Sequence, residues 1–300
     1  MNHFEIIGNW LDTDKVTLKD VDTPSKKVVR VDGEQAVYYL KQKSSVDEVN
    51  REIYVHRKLL ESNVPISTPM KGRNQQFYLE YDGKIYCLYE SLQGSPVGNV
   101  QNIQQAFAMG EAISQLHKGL RLCSEVELNA SRMDIASQLT NWAMPATLEL
   151  EPRTVEIIEY VETNFIPITD ALPQQLIHRD AHPNNMLFHK GRLSGFIDFD
   201  LTTYGIRIFD LCYCSTAILM QDFNDQGKRA QWLDLFSELM RGYQSGIQLT
   251  EQEKNALFPV LLSIQLIFIA YFRDIDVSIS KINVDGLLWL YDHREYFVFE

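Results

Sequence analysis

The chain has 300 residues, of which 45% are hydrophobic and 23% charged. That balance belongs to an ordinary globular protein with room for one large domain or two lobes, and a core of this size needs no disulfide or metal staple. The formal net charge of -12 argues against broad binding to nucleic acid or to an anionic membrane, and it suits a cationic small molecule.

The four cysteines, Cys87, Cys123, Cys212 and Cys214, show neither zinc-type nor CxxC spacing, and Cys212 and Cys214 stand in an apolar run as expected buried thiols. The first residues carry no basic stretch followed by an apolar segment. The most apolar late run, Phe258–Phe272, holds Pro259, Ser263 and Gln265 and is shorter than a bilayer span. A buried helix and a cytosolic setting are therefore expected.

In chain order, Val28–Val31 and Gln35–Gln42 flank Asp32-Gly33, and Phe77–Tyr81 and Lys84–Glu90 flank Asp82-Gly83. Both read as two-residue hairpins. Between them Val49, Ile53, His56 and Leu60 recur at helical spacing over Val46–Ser62. Gln93–Gly98 breaks the pattern and is the predicted junction between a lobe at 1–92 and a lobe at 93–300. Beyond it Ile103, Ala106, Gly110, Ile113, His117 and Leu120 form one stripe of a helix over about 101–121, where His117 reads as a satisfied core histidine. A helical stretch is expected over about 131–165. Met186–Phe188 and Leu193–Phe199 flank Lys190-Gly191 as short strands, and helices resume near 208, with Thr250-Glu251-Gln252-Glu253 resembling a capping box.

One stretch carries chemistry. His178-Arg179-Asp180-Ala181-His182-Pro183-Asn184-Asn185 is followed by Ile197-Asp198-Phe199-Asp200. Asp180 can take a proton from an attacking hydroxyl. Asn185 offers an amide oxygen and Asp198 a carboxylate, hard donors of the kind magnesium accepts alongside substrate phosphates. A strand hairpin between them would return both to one point. Kinase-type phosphoryl transfer needs these parts, because it rests on positioning and charge neutralisation.

These residues resemble the aminoglycoside phosphotransferase and choline kinase family, relatives of the protein kinases by fold. That family's loop reads His-Gly-Asp-x-His-x-x-Asn, and this chain departs from it at Arg179, which gives the loop a protein-kinase look. His182-Pro183 and the short span from Asp198 to Asp210 favour the small-molecule branch, and no DFG or APE is present. The resemblance implies an α+β, protein-kinase-like bilobal fold: an N-terminal nucleotide-binding lobe with an antiparallel sheet and a helix, and a mainly helical catalytic and acceptor-binding lobe. It implies ATP and Mg2+ as cofactors.

The resemblance also assigns roles upstream. Lys41 in Val37-Tyr38-Tyr39-Leu40-Lys41 would contact the ATP phosphates and Glu52 would pair with it, while Lys43 competes from outside the apolar run. Tyr89-Glu90-Ser91-Leu92 resembles the hinge, so Glu90 and Leu92 would meet adenine through their backbone. His178, His182 and Asp210 would support the site, Asp210 by bracing the backbone of the catalytic loop. Asp200 reads equally as a group near metal or substrate and as a solvated loop charge. The phosphate-covering loop falls around Lys19–Lys26 and has no glycine.

The expected function is an ATP- and Mg-dependent transferase acting on a hydroxyl of a small, amine-bearing molecule. Aminoglycoside, choline, homoserine, methylthioribose and sugar acceptors all stay open. Glu149, Glu151, Tyr271, Asp274 and Trp289 can form a cation-binding wall, and each singly also reads as core or surface. Two other classes compete: a catalytically inactive kinase-fold binding or spore-coat-type scaffold, motivated by the glycine-free loop, and a protein kinase, motivated by Arg179. No sequence signal sets an oligomeric state.

Overall fold

The computed structural model describes residues 3–21, 28–124 and 131–297. The first part of the chain holds α1 (His3–Ile7), β1 (Val16–Asp20), β2 (Val28–Gly33), β3 (Val37–Lys43), α2 (Val46–Glu61), β4 (Leu79–Tyr81) and β5 (Lys84–Glu90). The strands form one antiparallel sheet in the order β1-β2-β3-β5-β4. Side-chain alternation sorts its faces. Val29, Val31, Leu40, Tyr86 and Leu88 cluster on one side with Ile6 and Ile7 of α1. Ile85, Cys87 and Tyr89 face the other and pack with Val49 of α2. Lys41 and Lys43 stand opposite Cys87 and Ile85 in the β3–β5 register, so both lysines share the α2 face.

Local turn chemistry decides one hairpin and not the other. Asp82 and Gly83 take φ of 50° and 67° and close a two-residue turn between paired Tyr81 and Lys84. Asp32-Gly33 instead stays in β2: Asp32 pairs with Val37, and the chain turns over Gly33–Ala36. The Asp32 carboxylate is engaged by Lys19 from the neighbouring strand and by Arg30 two residues back on β2, each at 2.6 Å, rather than turned onto the loop backbone. Strand β1, absent from the expected elements, is a sheet edge of five residues whose alternation rests on Val16 and Leu18 alone, both half-buried against the Val29 and Val31 cluster. The glycine-free covering loop falls partly at 22–27, outside the described residues.

The second part begins with β6 (Ser95–Pro96) and α3 (Ile103–Leu120). It continues with α4 (Ile135–Gln138), a π-helical turn at Leu139–Ala143, α5 (Met144–Leu150) and α6 (Val155–Asn164). Then come β7 (Gln174–Ile177), β8 (Met186–His189), β9 (Arg192–Phe196), β10 (Thr203–Ile206), α7 (Ile208–Gln221), α8 (Gln226–Gln244), α9 (Glu251–Arg273) and α10 (Val277–Asp292). The helical stretch expected over 131–165 is segmented, with Pro145 directly after the π-helical turn and Pro152 in a first turn, where a missing N–H costs nothing. The expected junction contains β6, which pairs with β8. Strands β7 and β10, also absent from the expected elements, pair antiparallel with Ile177 opposite Thr203 and bracket the chemistry-bearing loops.

Helices α3 and α8 meet backbone to backbone. A Cβ at Gly110 would collide with the Leu239 carbonyl, and one at Gly242 with the Phe107 carbonyl, so only glycine permits this approach. Helix α9 starts at a full capping box, in which the Thr250 hydroxyl accepts the Glu253 N–H (3.2 Å) and the Glu253 carboxylate accepts the Thr250 N–H (2.9 Å). It extends to 23 residues, beyond the run read from sequence, and is long and apolar enough to cross a membrane by composition; 72% of its most apolar window is buried. All four cysteines are buried.

Candidate active site

The loop after β7 is held from beneath by one buried carboxylate. Asp210, in the first turn of α7, accepts the N–H of His178 (2.8 Å) and of Arg179 (2.7 Å). It also meets His117 Nε2 at 3.0 Å, and His117 Nδ1 lies 2.9 Å from the Tyr243 hydroxyl. His117 is thus a satisfied core histidine whose partner is the loop's brace. These bonds hold Arg179 at φ +68°, a left-handed backbone that suits glycine, the residue in the family pattern. His178 Nε2 reaches the Ile197 carbonyl (3.0 Å) and ties the loop to the segment carrying Asp198. Strand β9 stops at Phe196, so Asp198 lies beyond the strand, at φ +66°. Replacing Asp210 by Ala would orphan two buried N–H groups at about 1–3 kcal/mol each. Urea unfolding of that variant should show the loss, and an unchanged midpoint would remove Asp210 as the brace.

Asp180 is fixed at both oxygens. Its Oδ2 accepts from Asn185 Nδ2 (2.8 Å), which also reaches the Asp180 carbonyl (2.9 Å). Its Oδ1 accepts the Tyr213 hydroxyl (2.7 Å) and lies 3.6 Å from His182 Nε2. Burial pushes this carboxyl upward, but hydrogen bonding from His182 and Tyr213, with His178 close by, outweighs it and the net shift is downward. Asp180 therefore stands ionised at neutral pH, as a proton acceptor must.

The two lysines of β3 divide their partners. Lys41 Nζ lies 3.0 Å from Asp198 Oδ1. Lys43, with only 1% of its side chain exposed, lies 2.7 Å from Glu52 Oε2 and 3.6 Å from Glu48 Oε1, and it bonds Asp200. Glu52 also accepts the Tyr89 hydroxyl at 2.9 Å. The Lys41–Glu52 pair implied by the resemblance is not formed, because Lys43 is the lysine level with Glu48 and Glu52 of α2. Asp200 is an ion-pair partner of Lys43 and not a free loop charge. Burial alone would lower the Lys43 ammonium, but Glu52 and Asp200 more than reverse this and push it up.

Helix α2 turns a different face inward from the one read in the sequence. Its buried face is Val49, Glu52, Val55, His56 and Leu59, while Leu60, expected inside, is 52% exposed. His56 sits edge-on against Phe199, with ring centroids 4.9 Å apart. Burial, then the charges of Lys43 and Lys41, pull it down to about 3, so it is neutral.

A cavity of about 490 Å³ opens between the sheet and the second part of the chain. Val28, Tyr39, Lys41 and Glu52 line it from one side, and Asn185, Leu187, Ile197 and Asp198 from the other. Ser91, Leu92 and Gly94–Pro96 close its rear. Glu90 does not line it, and its carbonyl accepts the Ser67 hydroxyl at 3.2 Å. The Ser91 N–H is committed to the Val37 carbonyl (2.8 Å).

Four of the five residues weighed as a cation-binding wall already have partners in this chain, and the fifth, Tyr271, is exposed. Glu149 (3.0 Å) and Asp274 (3.3 Å) share Arg273, Glu151 binds Arg153 at 2.9 Å, and Trp289 stacks on His293 with ring centroids 4.2 Å apart. The residue that sequence reading missed is Tyr213. Its position three after Asp210 puts it on the turn of α7 facing the loop, but a lone tyrosine in an apolar helix gives no warning of this.

The two-part architecture and the Asp180–Asn185–Asp198 cluster define a kinase-type fold. An amicoumacin kinase solved with AMP-PNP, Ca2+ and Ami superposes with a TM-score of 0.72 at 16% identity, covering 97% of this chain and 92% of the other. A microcompartment-associated aminopropanol kinase gives 0.71 at 14%, covering 98% and 97%. The GDP complex of an aminoglycoside 2'-phosphotransferase-IIIa gives 0.70 at 14%, covering 98% and 100%.

The family model described as "Phosphotransferase enzyme family" matches residues 22–246, and the chain belongs to that family. Among curated relatives, homoserine kinase of Zymomonas mobilis is 28% identical over 218 residues, which is 70% of this chain and 65% of that one. Homoserine kinase of Rhodopseudomonas palustris is 29% identical over 167 residues, 53% of this chain and 48% of that one. The chain thus spans about half to two thirds of the length of these relatives.

Proposed function

We propose that this protein transfers the γ-phosphoryl group of ATP, with Mg2+, to a hydroxyl of a small amine-bearing molecule. The observation that supports it most is the convergence of Lys41, Asn185 and Asp198 on one cavity, with Asp180 bonded to Asn185. As the acceptor oxygen bonds to phosphorus and the bridging bond to ADP breaks, Asp180 takes the hydroxyl proton. Lys41 meets the phosphate charge from the sheet side. The donor set suits magnesium: the Asn185 NH2 is spent on Asp180, which leaves its amide oxygen, and Asp198 adds a carboxylate. The ion, when bound, neutralises charge on the transferring phosphates.

The acceptor class rests on the relatives and on net charge. Homoserine kinases lead the sequence relatives, and an aminopropanol kinase and an aminoglycoside phosphotransferase share the fold. Acceptors of this kind carry an alcohol and an amine, and a chain of net charge -12 suits a cation. The test is ADP release with Mg-ATP against homoserine, aminopropanol, ethanolamine, choline, aminoglycosides, methylthioribose and simple sugars, with chelator and Asp180→Asn controls. A hit lost in both controls supports the proposal. Mg-ATP binding with no turnover on any acceptor would favour a scaffold instead.

A further inference from the structure

We propose that Tyr213 is the positioning residue for the proton-accepting carboxylate, aiming Asp180 from helix α7. The inference rests on the phosphotransferase reading above. A carboxylate at the end of a loop is free to rotate about its last bond. Here each oxygen has its own anchor, Asn185 on Oδ2 (2.8 Å) and Tyr213 on Oδ1 (2.7 Å). The Asn185 anchor comes from the same loop and would move with it. The Tyr213 anchor comes from a separate helix, and it is the one that fixes the carboxylate relative to the second part of the chain.

The Tyr213 ring is itself held. It stacks on Phe209 at 5.9 Å with an interplanar angle of 15°, and it packs on Phe268 of α9 at 5.5 Å. Its hydroxyl therefore points at one place without losing rotamer freedom at the moment of reaction. The groups facing the pair are His182, whose Nε2 is 3.6 Å from the same oxygen and whose ring is 6.1 Å from that of Tyr213, together with His178, Arg179 and Asp210. Burial, then the charge of Asp180, pushes the phenol of Tyr213 up, so it stays a donor wherever the enzyme is folded.

Tyr213→Phe keeps the ring and removes only the hydroxyl. The expected result is kcat lower by about tenfold with KM for both substrates within about twofold, because the lost bond acts on the proton acceptor and not on binding. In the Asp180→Ala background the same change moves the residual turnover by no more than about twofold, because no carboxylate is left to aim. A carboxyl 13C spectrum at one pH, assigned with Asp180→Asn, reads the contact without turnover, since losing the hydroxyl moves the Asp180 resonance. Inert wild type with a moved Asp180 resonance in Tyr213→Phe would sink the phosphotransferase reading and keep the Tyr213 contact. An unmoved resonance, or a tenfold loss that persists in the Asp180→Ala background, overturns the assignment.

Discussion

Replacing Asp180 by Ala is expected to lower turnover by about 10²- to 10⁴-fold and to leave the fold standing. The size follows from what is lost. In this fold the protein supplies little covalent chemistry, so the proton acceptor is one of few groups whose removal acts directly on the reacting bond. The variant leaves the Tyr213 hydroxyl without its acceptor, while the Asn185 amide keeps the Asp180 carbonyl at 2.9 Å. One orphaned donor costs about 1–3 kcal/mol, which a chain of this size tolerates. Steady-state ADP release and urea unfolding, measured on the same preparation, check both halves. Undiminished turnover would remove Asp180 from the chemistry, and a variant that fails to fold would make it a structural residue.

Lys43→Met and Lys41→Met should fail in different ways. Lys43 is almost wholly enclosed and answers Glu52, Glu48 and Asp200 together. Taking the cation away strands the buried Glu52 carboxylate, and breaking such a pair costs about 3–5 kcal/mol. Lys41 and Asp198 are 18% and 40% exposed, so their ion pair contributes only about 0–1 kcal/mol. Lys41→Met is then expected to unfold at nearly the wild-type urea midpoint and to raise KM for ATP, because Lys41 is the lysine lining the cavity. A stability loss centred on Lys41, with Lys43→Met unfolding like wild type, would reverse the division of labour. The same comparison separates a phosphate-binding lysine from one that fastens helix α2 to the sheet.

What could be read from the sequence is what depends on neighbours in the chain. Asp82-Gly83 closes its turn because two adjacent residues can adopt positive φ. Thr250 and Glu253 cap α9 because they are three residues apart on one helix turn. The catalytic-type loop and the Asp198 segment were legible for the same reason, since residue order within each sets which groups face one another. Asp32-Gly33, an equally good local signal, was overruled by Lys19 from the neighbouring strand, which holds the Asp32 carboxylate together with Arg30 of the same strand. Only packing in space decided that Lys43 rather than Lys41 meets Glu52, because alternation puts both on one face and the register against α2 chooses between them. Packing also brought Tyr213 to Asp180 and Tyr243 to His117, the latter through a helix contact that only glycines at 110 and 242 permit. Local conformation is set by short-range sterics and hydrogen bonds that the chain carries with it; a side chain's partner in a buried polar network depends on where distant backbone comes to rest.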